Sequence, residues 1–340
     1  MWMTDNGYTM TLKRGLILQT AITLCCAALA SSTSAQSDIT FSGSVFSDYS
    51  YTVNTPDGIG EDEHGFGFRR IYLTANYRIS ESFSGRLRLE SNDTSVTSQG
   101  KLSPFIKDFF LMWKNVLGDG HHVTFGLSPP PIWGVAEKHW AYRSLEKTIQ
   151  HRNRIASSRD MGLTLTGPVL SNGRVKYALM YANNSGVRRE IDKFKRVYGQ
   201  LQFYPTGPIT LSLAGDYYLI EDGTSYNASA FVGYAKQRAQ IGLEAFYNPK
   251  SIDSDKFNDT ALGVSVFGFV NTTSSQRLIA RYDLVNQDDP LRKSSNHWVI
   301  LGYSITPEKG VEIIPNVTYH KNDFEDGATI TARLTVVANF

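Results

Sequence analysis

The sequence predicts an all-β chain, a transmembrane antiparallel β-barrel of about sixteen strands, and three observations predict it. The last stretch, Ala328 to Phe340, alternates strictly. Ile330, Ala332, Leu334, Val336, Ala338 and Phe340 are apolar, while Thr331, Arg333, Thr335 and Asn339 stand between them. The same period-two pattern recurs from Asp38 onward, in segments joined alternately by short turns and long polar connections. Beyond Ala30 no run of some eighteen apolar residues occurs, yet Tyr and Phe number 18 each and gather near segment ends. A polar average with alternating apolar positions suits a wall that meets lipid on one face and water on the other.

Residues 1–35 read as an export signal rather than as fold. Lys13 and Arg14 form a positive start, Gly15 to Ala30 a short apolar run, and Thr33-Ser34-Ala35 a cleavage site before Gln36. Cleavage after Ala30 and initiation at Met10 are the alternatives. Cys25 and Cys26 both fall in this removed segment, so residues 36–340 are free of thiol chemistry and form one barrel domain. A net charge of +2 gives nucleic acid no electrostatic footing.

The first strand, about Asp38 to Val53, shows Ile39, Phe41, Gly43 and Val45 on one face. Phe66 to Ile79 and Phe83 to Glu90 follow, joined by Ser80-Glu81-Ser82. Ile71, Leu73, Ala75, Tyr77, Leu87 and Leu89 then face lipid, and Arg70, Arg78, Arg86, Arg88 and Glu90 face the lumen. Pro104 to Val116 and His121 to Leu127 turn at Gly118-Asp119-Gly120, a hairpin signal. Met161 to Val169, Arg174 to Asn183, Phe194 to Tyr204 and Ile209 to Ile220 come next, the last pair turning at Pro205 to Pro208. The remaining strands are 226–235, 239–248, 258–270, 276–285, 297–305, 311–320 and the last. GTS, SIDSDK, NQDDPLRKSSN and KNDFEDG read as outer loops, and KQR, NTTSS and TPEKG as turns on the periplasmic side with the termini. Aromatics mark two rims. Tyr49, Tyr51, Phe66, Tyr181, Tyr217, Phe257, Tyr282 and Tyr319 fall at the outer one, and Tyr77, Phe83, Trp113, Phe203, Tyr234, Phe267, Tyr303 and Phe340 at the inner one.

One stretch breaks the pattern. Pro129 to Asp160 is far longer than an ordinary loop, and such loops are usually functional. It carries Lys138, Arg143, Lys147, Arg152, Arg154 and Arg159 against Glu137, Glu146 and Asp160. Pro129-Pro130-Pro131 ends the fifth strand. Ala136 to Gln150 has helical character, with Trp140, Tyr142 and Leu145 on the face to be buried. Since about sixteen strands enclose an aqueous channel, this segment is expected to fold into the mouth as a constriction. Folding over the outside of the mouth, or onto a neighbouring subunit, is the alternative. By alternation the lumen also receives Arg174, Lys176, Arg196, Arg277, Arg281 and Arg333. A pore lined by one sign of charge selects the opposite ion. Pairing with Glu90, Asp216, Glu244, Asp283 or Glu312 is the structural reading of those arginines.

The terminal Phe340 resembles the C-terminal signal by which the barrel-assembly machinery recognises bacterial outer-membrane barrels. The long loop after the fifth strand stands where general diffusion porins place their constriction loop. FRRIYLTANYRISESFSGRLRLES and AYRSLEKTIQHRNRIASSRDMG are similar to the phosphate-selective porin O/P family. The resemblance implies a homotrimeric channel of roughly sixteen strands per subunit in the outer membrane of a Gram-negative bacterium, set among lipid and lipopolysaccharide. It also implies a pore lined by arginines that passes small hydrophilic solutes, anions such as phosphate above all. No nucleophile motif, phosphate-cradling glycine loop or cofactor signature is present, so no enzyme and no cofactor are expected. His121-His122 with His139 or His151 lacks ligand spacing for a metal. A plugged outer-membrane barrel acting through its outer loops, as adhesin, structural protein or enzyme, is the alternative.

Overall fold

The computed structural model describes residues 38–340 except 192, 206, 221–222, 253–256 and 290–291. The export signal, Thr206 of the expected Pro205–Pro208 turn, the tips 253–256 and 290–291, and the Phe257 side chain lie outside the described residues. The strands are β1 (Ile39–Asn54), β2 (His64–Arg78), β3 (Phe83–Asn92), β4 (Phe105–Lys114), β5 (His122–Ser128), β6 (Asp160–Pro168), β7 (Val175–Ala182) and β8 (Arg196–Phe203). They continue as β9 (Ile209–Ile220), β10 (Gly223–Lys236), β11 (Ala239–Ile252), β12 (Phe257–Asn271), β13 (Gln276–Asp289), β14 (Arg292–Glu308), β15 (Val311–Asn322) and β16 (Thr329–Asn339). Each pairs antiparallel with its neighbour in sequence, and β1 pairs with β16, so the sheet is a closed barrel of 16 strands. At the seam, Gly43 N–H donates to the Phe340 carbonyl (2.7 Å) and Phe340 N–H to the Gly43 carbonyl (3.1 Å). Closure leaves no unpaired edge, as a wall in hydrocarbon requires.

Strand existence and order follow the sequence pattern, but the outer ends do not. GTS belongs to β10, Ser251 and Ile252 of SIDSDK belong to β11, and most of NQDDPLRKSSN is strand, with Asp289 paired in register to Arg292 across the β13–β14 hairpin. Polar residues read as loops because strands were expected to end with the lipid. Above the lipid a strand can be polar on both faces and still pair. The wall is therefore uneven: β3 to β8 have 7 to 10 residues and β9 to β16 have 11 to 17.

The outward face carries exposed Leu73, Phe125, Leu179, Leu213, Leu301 and Leu334, in the expected parity. At the outer rim Tyr181 and Tyr217 both pair with Val197, Tyr217 pairs with Tyr226, and the Tyr226 ring meets that of Tyr247 at 6.1 Å. Phe267 departs from its expected rim position. Its neighbours Val264 and Val266 are exposed, so alternation turns Phe267 inward, where it is buried edge-on to Trp140 at 5.5 Å. It belongs to an apolar cluster on the lumen side with Phe46, Phe231, Ile279, Ile300, Ile314 and Val337. The interior is not polar throughout, and one side of it is filled.

Two register shifts matter most. Arg70 pairs with Phe46 and Phe68 with Ser47, which leaves Arg69 as an extra residue in β2. Likewise Asp108 pairs with Arg88 and Ile106 with Leu89, leaving Lys107 extra in β4. A bulge re-aims side chains. Arg69 reaches Asp48 at 3.3 Å and Lys107 reaches Glu90 at 3.1 Å, so each bulge adds one cation to the lumen face.

Between β4 and β5 the backbones approach closely. Gly126 holds φ +130°, and a Cβ there would lie 2.3 Å from the Phe109 carbonyl oxygen. Gly126→Ala is expected to cost about 1–3 kcal/mol in backbone strain and to lower the temperature at which the folded barrel loses its fast electrophoretic migration. An unchanged temperature would show that this strand pair tolerates a shift.

Candidate functional site

The chain leaves β5 through Pro129-Pro130-Pro131 and turns into the barrel. Ile132 and Trp133 are buried against Met180, Ala182 and Tyr198. Helix α1 (Gly134–Trp140) follows, then a non-helical stretch, then the short α2 (Ile149–Arg152). One helix over Ala136 to Gln150 was expected. It breaks because Ala141 takes a left-handed conformation, φ 61°. The break lets Trp140 and Tyr142, adjacent in sequence, both be buried, and Trp140 Nε1–H donates to the Glu146 carbonyl at 2.8 Å. Trp140, Tyr142, Leu145 and Ile149 are at most 2% exposed. Each such burial contributes on the order of 1.5–3 kcal/mol.

Hydrogen bonds tie the segment to the inner wall from both sides. Arg281 Nη1 donates to the Lys147 carbonyl (2.6 Å), Gln150 Nε2 to Glu244 Oε1 (2.7 Å) and Asn227 Nδ2 to Gln150 Oε1 (2.9 Å). Arg196 Nη2 donates to the Ile155 carbonyl (3.0 Å) and Gln200 Nε2 to the Ile132 carbonyl (3.0 Å). From β2, Arg69 Nη1 donates to the Ser144 carbonyl (2.6 Å). The segment thus lies inside the barrel and bridges its two sides.

The residues expected to line a pore divide into two groups. Arg196 and Arg281 are buried, each paired with one carboxylate: Arg196 with Asp216 (2.6 Å) and Arg281 with Asp283 (2.7 Å). Their work is holding the segment, so the structural reading is the correct one for both. Arg277 lies over the Phe269 ring at 4.8 Å, and its Nη1 stands 3.5 Å from the Tyr142 hydroxyl. Arg152 lies over the Trp298 ring at 4.4 Å with Asp283 3.7 Å away. Arg174 is a correction. It lies in the β6–β7 turn, ahead of the strand, and is exposed at the barrel end. Lys138 and Arg154 are exposed, Arg154 with φ 57°. Arg78 is exposed near the short turns, and Arg333 is half-buried on β16.

The second group gathers on β2 to β4, opposite the filled side. Glu90 accepts Arg70 (3.2 Å) and Lys107 (3.1 Å). Asp108 is shared by Arg86 (3.9 Å), Arg88 (3.5 Å) and Arg159. Five cations thus meet two buried carboxylates. Across from them Arg143 pairs with Glu137 (3.2 Å), and Glu137 also faces His151 Nδ1 (3.8 Å). Lys147 has its ammonium pKa lowered by burial and by Arg143 and Arg70. Burial alone would raise the Glu137 carboxyl, but His151 and Arg143 together bring it below its ordinary value. Burial lowers His151 from 6.5 to about 4 against the pull of Glu137, and its ring stacks on Trp133 at 4.9 Å. Between these groups lies a cavity of about 400 Å³. Sequence reasoning missed Arg69 and Lys107, because each bulge resets the alternation by which facing was assigned.

No family model matches the chain, and no curated protein does. Solved structures do. The chain is similar to a trimer form of OmpT, an outer membrane protein of Vibrio cholerae (12% identity, 90% of this chain, 100% of that one, TM-score 0.66). It is also similar to an anion-selective porin from Comamonas acidovorans (15%, 90% and 100%, TM-score 0.67) and to the outer membrane channel DcaP of Acinetobacter baumannii (13%, 91% and 99%, TM-score 0.65). These likenesses establish the fold as that of outer-membrane porin barrels.

Two outcomes follow from the clamps. Arg281→Ala leaves the buried Asp283 only Arg152, 3.7 Å away, and is expected to cost about 3 kcal/mol, read as a lowered melting temperature of the barrel in detergent. For His151, the folded value near 4 lies below the ordinary 6.5, so the unfolded chain takes up its proton first. Its contribution to stability is complete above pH 6.5 and is lost as pH falls from 6.5 to 4. His151→Gln is expected to flatten that part of the pH–stability curve, and a curve of unchanged slope would refute the burial argument.

Proposed function

We propose that the chain is an outer-membrane porin, a water-filled passive diffusion channel for small hydrophilic solutes with a preference for anions. The observation that carries this reading is the excess of cations around Glu90 and Asp108, four from β2 to β4 and Arg159 from the inward segment against two carboxylates, with Arg143 and Lys147 of that segment facing them. Segment 129–160 acts as the constriction, and residues 1–35 direct export. Phosphate-like anions are the favoured solutes under the family resemblance, since a guanidinium fork matches two oxygens. Phe340 serves as the assembly signal. Outer-membrane lipid and lipopolysaccharide surround the barrel.

A homotrimer fits the uneven wall. β5 has 7 residues and β7 and β8 have 8, fewer than the roughly 9–11 a lipid-exposed strand needs, so this face suits cover by protein. The similar outer membrane protein of Vibrio cholerae is described in a trimer form. A second reading, a closed barrel acting through its outer loops, draws support from the apolar cluster that fills one side of the lumen.

Purified protein in a planar bilayer under a salt gradient separates these readings. The expected result is stepwise conductance in groups of three, with a reversal potential toward the anion value. Arg88→Ala with Arg143→Ala is expected to move that potential toward the cation value. A cation-side potential in the unmodified protein would sink the anion preference, and no steps from folded protein would favour the closed barrel.

A further inference from the structure

Resting on the anion-channel reading, we propose that the lumen cavity beside the inward segment is a subsite for an aromatic monocarboxylate rather than for inorganic phosphate. The cavity, about 400 Å³, is the size of an organic solute. Two kinds of surface line it side by side. One is formed by Phe46 and Tyr72, whose rings meet edge-to-face at 6.1 Å. The other is cationic, with Arg88, Lys107 and Arg143 among its lining residues.

The cations are arranged for a flat partner. Arg88 lies over the Tyr72 ring at 5.2 Å. Stacking leaves a guanidinium's donors at its edge; Arg88 Nε donates to Thr74 Oγ1 (2.8 Å) and its Nη1 stands 3.5 Å from Asp108, so a planar carboxylate competes with Asp108 for that edge. The body of an aromatic acid would then lie along Tyr72 and Phe46, where offset or edge contacts between rings are favourable. Phosphate has no apolar body and gains nothing from these rings. Glu137 also lines the cavity, 3.2 Å from Arg143. A second negative charge on the solute meets that carboxylate, so a monoanion is favoured over a dianion.

The test uses the full channel in planar bilayers and reads two quantities, the reversal potential and the current block by sodium benzoate, acetate or phosphate added to one side. Benzoate is expected to half-block at a concentration about three- to tenfold below acetate, and below phosphate. Tyr72→Leu is expected to remove the advantage of benzoate over acetate, and Tyr72→Phe to keep it. Phosphate blocking at or below the benzoate concentration, benzoate and acetate blocking alike, or no block by any of the three overturns the subsite while leaving the anion channel standing. A cation-side reversal potential overturns the channel reading and the subsite with it. Should Tyr72→Leu not fold, the ranking in the unmodified protein and in Tyr72→Phe decides.

Discussion

Hydrocarbon offers a backbone no hydrogen-bond partner, and the rest of this structure depends on that constraint. It forces the sheet to close, which β1 and β16 do through Gly43 and Phe340. Closure fixes alternation, and alternation sends strand charges at lipid depth to the lumen, since the lipid face is costly for them. Once the charges are inside, they need partners. Arg196 and Arg281 find one carboxylate each and also donate to carbonyls of the inward segment. The same rule that builds the wall thus supplies the clamps that hold the segment against it.

The clamped segment divides the interior. Trp140, Tyr142 and Leu145 join Phe231, Phe267, Ile279 and Ile300 in an apolar mass against the wall. The open side is left to β2, β3 and β4, where the two bulges add Arg69 and Lys107 to a face already bearing Arg70, Arg86 and Arg88. Unpaired like charges in a low-dielectric wall repel strongly. Glu90 and Asp108 offset part of that repulsion, each serving more than one cation. The surplus is what remains for a solute to meet.

Much of this was legible in the sequence, because the signals are local. Period-two runs located all sixteen strands, and parity placed Leu73 outside and Arg88 inside. The burial of Trp140, Tyr142 and Leu145 was readable from their apolar character in a charged stretch. What was not legible depends on partners distant in the chain. Nothing near Arg69 or Lys107 announces an extra residue in the ladder, since a bulge exists only relative to the opposite strand. Phe267 read as a rim aromatic because its inward contact, Trp140, is over a hundred positions away in sequence. Arg196 and Arg281 read as pore cations because their carboxylates could be named but not their burial. The outer ends of β10 to β14 read as loops because hydropathy marks where lipid ends, and pairing continues beyond it.

Under the proposed anion-channel function, the partial neutralisation of the basic face bears on transport. A channel must bind its solute well enough to admit it and weakly enough to release it. A cluster of guanidiniums with no carboxylates would hold an anion tightly and block itself, whereas fully matched pairs would offer an anion nothing. Two carboxylates shared among five cations lie between these limits. An arriving anion would compete with Asp108 and Glu90 for guanidinium donors and, on leaving, return them to partners already within 3.1 to 3.9 Å. In that proposed channel the buried acids act as resident substitutes for the solute. They keep the cations in place between passages and keep the cost of emptying the site low.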